Sequence, residues 1–157
     1  MLLLAIDTGT LQSAYVVVDT ETYKIITSGK ISNEEMLQLV RTGYYDVCVV
    51  EMFSSYGARV GKEVFESVVM IGRVLEACYP QTAYRIPRRK VKEYICGRGS
   101  AVKDADVIQA LKDRFGSKGT KTKPGFFYGT TADMWQAFAL ATAYIDMRKD
   151  GVTDFDI

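Results

Sequence analysis

The chain has no histidine. That absence removes Ser-His-Asp and Cys-His nucleophilic catalysis, and it leaves no zinc site with three good ligands. Chemistry here must come from carboxylates, lysines, hydroxyls or a bound cation. A ligand set of hard oxygens points to magnesium or manganese rather than zinc or copper. No apolar run approaches the roughly 20 residues that a membrane helix needs, so no membrane partner is expected. The apolar amino terminus carries no basic leader or cleavage site. No internal repeat or linker marks a second domain, and one domain over 1–157 with an acidic tail at 150–157 is expected. Cys48, Cys78 and Cys96 lack CxxC spacing and lie in apolar or helical segments, which reads as reduced, buried thiols in a cytoplasmic protein.

Charge is present but uneven. The net charge is only +1, yet residues 85–103 hold Arg85, Arg88, Arg89, Lys90, Lys92, Arg98 and Lys103 against the single acid Glu93. A second basic run, Lys112, Arg114, Lys118, Lys121 and Lys123, faces only Asp113. Acids gather elsewhere, at Glu34, Glu35, Asp150, Asp154 and Asp156. The asymmetry suggests one face for a polyanion, and a solvated lysine-rich surface is the alternative.

Residues 1–7 read as a buried strand ending at Asp7, followed by a turn at Thr8-Gly9. Segments 13–19 and 22–29, rich in β-branched and aromatic residues, complete an antiparallel meander. Ser32 with Glu35 is a capping-box signature for a helix to about Thr42. Residues 45–51 form another buried strand, again ending in an acid, Glu51. A long helix over 57–79 carries Val60, Val64, Val68, Ile71 and Leu75 at helical spacing, widened by Phe65, Val69 and Gly72. A strand at 82–86, a helix from Arg88 to Tyr94, and a helix from Ala101 to Phe115 capped by Ser100 follow. Residues 116–129 read as a loop, basic and mobile at first, then aromatic, and the last helix covers about 132–148. The order predicts an α/β fold, a five-stranded mixed sheet in which a meander flanks parallel strands, with helices on both faces.

In such sheets, sites form at the carboxyl ends of neighbouring strands. Asp7 and Glu51 both stand at such ends, and Asp133 lies in the first turn of the last helix. Each has an ordinary explanation: a strand ending at the surface for Glu51, and the helix dipole for Asp133. Asp7, at the tip of the greasiest strand, is the hardest to explain without a cation or donor. Carboxylates brought together in this way can share divalent cations. Two such ions about 4 Å apart can activate water on one side of a phosphodiester and stabilise the leaving oxygen on the other.

The meander ending in AIDTG, the strand ending in VVE, the segment RKVKEYICGRGSAVKDADV and the helix opening ADMWQAFALA together resemble the RuvC-type Holliday-junction resolvases of the ribonuclease-H-like superfamily. The resemblance runs from Met1 to about Tyr144. The small size and compact loops look more like phage or prophage members. It implies a ribonuclease-H-like fold and a magnesium-dependent site, with Mn²⁺ as a substitute and two ions per site. It also implies a homodimer, partly through helix 57–79, that cuts four-way DNA junctions. By position, Asp7, Glu51 and Asp133 match the family's metal-holding acids. Lys103 matches the lysine of its GxGxAxK motif and Lys92 that of the preceding VK pair, and both are expected to be catalytic, a lysine near the scissile phosphate offsetting charge on its oxygens in the transition state. Phe53 falls where the family places an aromatic near the junction centre, where it would stack on bases, or it is a core phenylalanine. Arg88, Arg89, Lys90, Arg98, Lys118, Lys121 and Lys123 complete the expected DNA-contacting set. The pattern departs at Thr130, where the family often has a further aspartate one helical turn before the last acid, unless Glu66 or another acid reaches in.

Two other readings stay open. A catalytically weak or inactive protein would bind branched DNA through the same basic face. A nucleotide-binding protein of the actin and sugar-kinase group would use the D-x-G-T turn for phosphates, although 157 residues leave no room for that group's second domain.

Overall fold

The computed structural model describes residues 1–55 and 57–155. Asp156, in the expected acidic tail, lies outside them. The elements run β1 (Leu2–Asp7), β2 (Gln12–Asp19), β3 (Ile25–Ser32), α1 (Asn33–Thr42), β4 (Val47–Met52), α2 (Lys62–Cys78), β5 (Thr82–Pro87), α3 (Arg88–Cys96), α4 (Asp104–Phe115) and α5 (Met134–Lys149). The sheet has five strands in the order β3-β2-β1-β4-β5. β1 pairs antiparallel with β2 and parallel with β4, and β4 pairs parallel with β5. This is the mixed α/β sheet the element order predicts.

Period-two alternation along the strands divides the core. Leu3, Ala5, Val47 and Val49 face α3, α4 and α5, while Leu4, Ile6, Cys48 and Val50 face α1 and α2. Between Trp135 and Met147, α5 is buried nearly all round, and Ala137, Ala139, Ala141 and Ala143 keep it slim enough to lie close against the sheet. β1 and β4 are parallel neighbours with Ile6 opposite Val50, so the next residues, Asp7 and Glu51, emerge side by side at their carboxyl ends.

Several boundaries depart from the sequence expectation, each for a local reason. β3 starts at Ile25 because Asp19 folds the chain back first. Its carboxylate accepts hydrogen bonds from the Glu21 and Thr22 amides and the Thr22 hydroxyl, and Tyr23 takes a left-handed φ of 60°. α2 starts at Lys62 rather than Gly57, since Gly57 is left-handed and Gly61 is extended. α4 starts at Asp104 rather than Ala101, and Ser100 is not its cap. Ala101 has a φ of 58°, and the Asp106 carboxylate accepts from the Lys103 amide at the N-cap. α1 carries the expected capping box between Ser32 and Glu35.

Residues 116–129 are not an open loop. The chain folds into a small hairpin in which Gly119 and Pro124 bridge, the Thr120 amide donates to Lys123 and the Gly125 amide to Lys118. Phe126 and Phe127 then anchor it among Phe115, Trp135 and Phe138.

α2 buries one apolar face and exposes another. Its buried residues are Met70, Ile71, Val74, Ala77 and Cys78, whereas Phe65 and Val69 are 61% and 60% exposed and Val68 is also exposed. The wide apolar face expected over 57–79 is thus divided, with Ile71 turned to the core, Val64 and Leu75 partly buried, and Phe65, Val68 and Val69 turned outward. Cys48 and Cys78 are buried free thiols, as expected, and Cys96 is only partly buried.

Candidate active site

Asp7 ends β1, and the turn after it is held rigidly. The Asn33 amide donates to the Gly9 and Thr10 carbonyls, and its side-chain oxygen accepts from the Ser13 hydroxyl. A Cβ at Gly9 would stand 2.3 Å from the Gln12 carbonyl oxygen, so only glycine fits. The Gly9 amide is itself directed at Ser13. These bonds brace the turn and with it the position of Asp7.

Glu51 lies beside Asp7 with its side chain only 10% exposed. Burial and the neighbouring Asp7 charge push its pKa up to about 8, although the Arg88 guanidinium pulls the other way. The Glu51 acid donates a hydrogen bond to Asp7, whose own pKa is raised by burial despite that bond and despite Arg88. At neutral pH the pair therefore shares one proton, the usual outcome when two carboxylates are forced together out of water.

Cations surround the pair. Arg88, the first residue of α3, places Nη1 3.6 Å from Glu51 Oε2 and Nη2 2.7 Å from Asp104 Oδ1. Lys30, on β3, forms a 2.6 Å ion pair with Asp133. Asp133 stands at the N-cap of α5 rather than in its first turn, and its charge still raises the Asp7 pKa. Asp104 adds a further negative charge felt by both Asp7 and Glu51. Nothing local in the sequence singles out Lys30 or Asp104, whose partners lie 103 and 16 residues away.

The donor set suits a hard divalent cation: oxygens only, with Asp7 and Glu51 adjoining and burdened by mutual repulsion that a cation would relieve. As the side chains stand, no group of three or more acids, histidines or cysteines among the described residues is close enough to hold a metal ion. Lys30 and Arg88 engage the outer acids instead. Glu66 is exposed, and Thr130 is buried just ahead of Asp133, the N-cap of α5.

Phe53 is 39% exposed, which sets aside the core reading. It lines a cavity of about 140 Å³ with Asp7, Thr8 and Glu51, and a second of about 280 Å³ with Arg89, Lys92, Gly99 and Ser100. Arg88 borders both. Lys92 is partly buried, donates to the Val102 carbonyl at 2.8 Å and lies 3.7 Å from Asp104, so it ties the GRGSA turn to α3. Gly99 permits that turn to lie on the helix, since a Cβ there would meet Arg89 Cγ at 2.7 Å and Glu93 Cγ at 2.8 Å. Arg89 pairs with Glu93. Lys90 is half-buried, while Arg98 and Lys103 are exposed. Lys118, Lys121 and Lys123 occupy the 117–125 hairpin, well along the chain from α3. Arg114, also in the second basic run, is turned inward onto Asp146 at 2.6 Å. No helix among the described residues is long and apolar enough to cross a membrane.

No family model and no curated protein matches the chain. Solved structures do. Thermus thermophilus RuvC superposes with a TM-score of 0.73 at 17% identity, covering 96% of this chain and 97% of its own. T. thermophilus RuvC in complex with a Holliday junction substrate gives the same score and identity, covering 96% of each chain. The yeast mitochondrial Holliday junction resolvase scores 0.59 at 12% identity over 94% of this chain and 78% of its own. Over nearly its whole length, the chain has the ribonuclease-H-like fold of the RuvC Holliday-junction resolvases.

Proposed function

We propose that the protein is a divalent-cation-dependent endonuclease that cuts branched DNA, four-way junctions foremost. The observation that carries this reading is the buried Asp7–Glu51 pair at adjoining parallel strand ends, beside a cavity lined by Arg88, Arg89, Lys92 and the exposed ring of Phe53. Asp7 and Glu51 would hold the cation, with Asp133 joining when released from Lys30; Mg²⁺ or Mn²⁺ suits these oxygens, and two ions per site are expected. Bound there, the cations would supply the charge that activates water and stabilises the departing oxygen. The protein's own part is to hold the acids rigidly through the Asn33-braced turn, to admit a phosphate beside Arg88 and Arg89, and to stack Phe53 on an unpaired base. Lys92 acts by shaping the 97–103 turn that presents Lys103, and the hairpin lysines reach the flanking duplex.

A homodimer through the outer face of α2 fits this reading. Phe65, Val68 and Val69 form an exposed apolar stripe, and a junction's twofold symmetry suits an isologous pair. The engagement of Asp133 and Asp104 by resident cations favours, as a second reading, a weakly active or inactive junction binder.

The test compares four-way, three-way, flap and linear DNA with Mg²⁺ or Mn²⁺, for the native chain and Asp7→Asn. The expected result is junction cleavage that Asp7→Asn abolishes while junction binding remains. Binding without cleavage by both proteins, at every salt concentration, would leave the second reading.

A further inference from the structure

Arg88 is placed unlike the other bases of its segment. Pro87 closes β5 at the N-cap of α3 and fixes the chain's direction there, so Arg88 issues from the first helical position directly over the carboxyl end of β4. One guanidinium nitrogen faces Glu51 at 3.6 Å and the other grips Asp104 at 2.7 Å. Glu51 is nearly buried and Asp104 is about half exposed, so the arginine spans from the interior of the acid cavity to its rim. It also forms the wall shared with the neighbouring cavity, where Arg89 and Lys92 add two more positive charges. Two Nη donors in a planar fork can serve two acceptors at once, in a fixed geometry that a lysine lacks.

Resting on the nuclease reading above, we propose that Arg88 is a tethered counter-cation. It holds Glu51 in the absence of metal, yields it when a divalent cation binds, and then turns that nitrogen to a DNA phosphate in the adjoining cavity. Asp104 is the tether, a positioning residue that keeps the guanidinium at the rim through either event. The two cavities share a wall, so the exchange needs only a side-chain rotation. Charge favours it, because a divalent cation at Asp7 and Glu51 repels the guanidinium while a phosphate next door attracts it. Asp104 limits how much Arg88 leans on Glu51. Without it, Arg88 would be committed to Glu51 and would compete harder with the metal.

The experiment titrates Mn²⁺ into the DNA-free full-length protein under argon at about pH 9, where proton competition at Glu51 is small, reading free Mn²⁺ by electron paramagnetic resonance. Arg88→Gln should bind Mn²⁺ about five- to tenfold more tightly than the native chain, since one competing charge pair is lost. A gain in affinity is an outcome that structural damage does not produce. Asp104→Asn should bind Mn²⁺ several-fold more weakly, and in an Arg88→Gln background the same change should have no effect. If Arg88→Gln folds poorly, Arg88→Lys should show a smaller tightening in the same direction. Junction binding should weaken in Arg88→Gln when Ca²⁺ is present and change little in EDTA, and an equal loss in EDTA overturns the exchange. Equal or weaker Mn²⁺ binding by a folded Arg88→Gln overturns the proposal and leaves the metal site standing. A loss in Asp104→Asn that persists without Arg88 overturns the tether and makes Asp104 a direct ligand. Mn²⁺ binding to neither the native chain nor Arg88→Gln overturns the metal-dependent reading itself, and this proposal with it.

Discussion

Replacing Glu51 by Gln should make the metal-free protein more stable, and more so as pH rises. In the folded chain, burial and Asp7 lift the Glu51 pKa from 4.5 to about 8, whereas the unfolded chain titrates near the ordinary value. At about 1.4 kcal/mol for each pH unit between the two, the folded state loses on the order of 4–5 kcal/mol by the time Glu51 is fully ionised. That loss is a large share of the roughly 5–15 kcal/mol typical of a whole domain. The direction follows from proton counts. Below about pH 4.5 both states hold the proton and the group is neutral to stability. Between about 4.5 and 8 the native state keeps a proton the unfolded state has released, so stability falls with rising pH and is lost as pH passes through the folded value. Asp7, also raised, pushes in the same direction at lower pH.

The Glu51→Gln side chain retains the donor that the protonated acid offers Asp7 and has no proton to lose. The chain has no histidine, so few other groups titrate in the lower half of this window, and the contributions of the α-amino group and the three cysteines above it are common to both proteins. The assay is urea denaturation in EDTA at constant ionic strength from about pH 5 to pH 9, followed by the fluorescence of Trp135, which is buried and the only tryptophan. The native chain should lose several kcal/mol across this range. Glu51→Gln should stay nearly flat and exceed it by about 3–5 kcal/mol near pH 9. Parallel pH profiles, or a variant less stable than the native chain at the alkaline end, would refute the strained-pair account.

Replacing Lys118, Lys121 and Lys123 together by Ala should flatten the dependence of log K for junction binding on log salt by about 2–3, while leaving thermal stability unchanged; an unaltered slope would place the hairpin off the DNA. Phe65→Lys should weaken self-association by about 100-fold, because an isologous contact counts each loss twice. Sedimentation velocity should then show a monomer at concentrations where the native chain is a dimer, and an unchanged mass would remove α2 from the interface.

The sheet and its acid-tipped strands are legible in the sequence because burial on both faces demands unbroken apolar runs. A carboxylate ending such a run in LLLAID or VCVVE has few ordinary explanations. α2 is legible only in part. Apolar spacing reports that a face is sheltered from water and not what shelters it, so Phe65 and Val69 look the same in sequence as Ile71 and Val74. The hairpin at 117–125 is hidden because its order comes from backbone hydrogen bonds and from Phe126 and Phe127 docking behind it, while its composition resembles a flexible linker. Lys30 and Asp104 carry no local signature at all, since each becomes a site residue only through a partner that the fold brings near.

Thr130 joins these threads. The resemblance drawn from the sequence leads one to expect an acid at this position, one helical turn before Asp133. In this chain, however, α5 begins only at Met134, and Thr130 is 2% exposed with its amide donated to Phe127. A carboxylate at so buried a position would be desolvated, at a cost of several kcal/mol unless a cation met it. The fourth negative charge near the pair comes instead from Asp104, on a different helix, and it raises the pKa of both Asp7 and Glu51. Arg88 and Lys92 hold that charge at the rim of the site. A threonine at 130 is thus accompanied by an acid on a different element: Asp104 opens α4, next to the arginine that borders both cavities, and its charge is balanced there by Arg88 and Lys92.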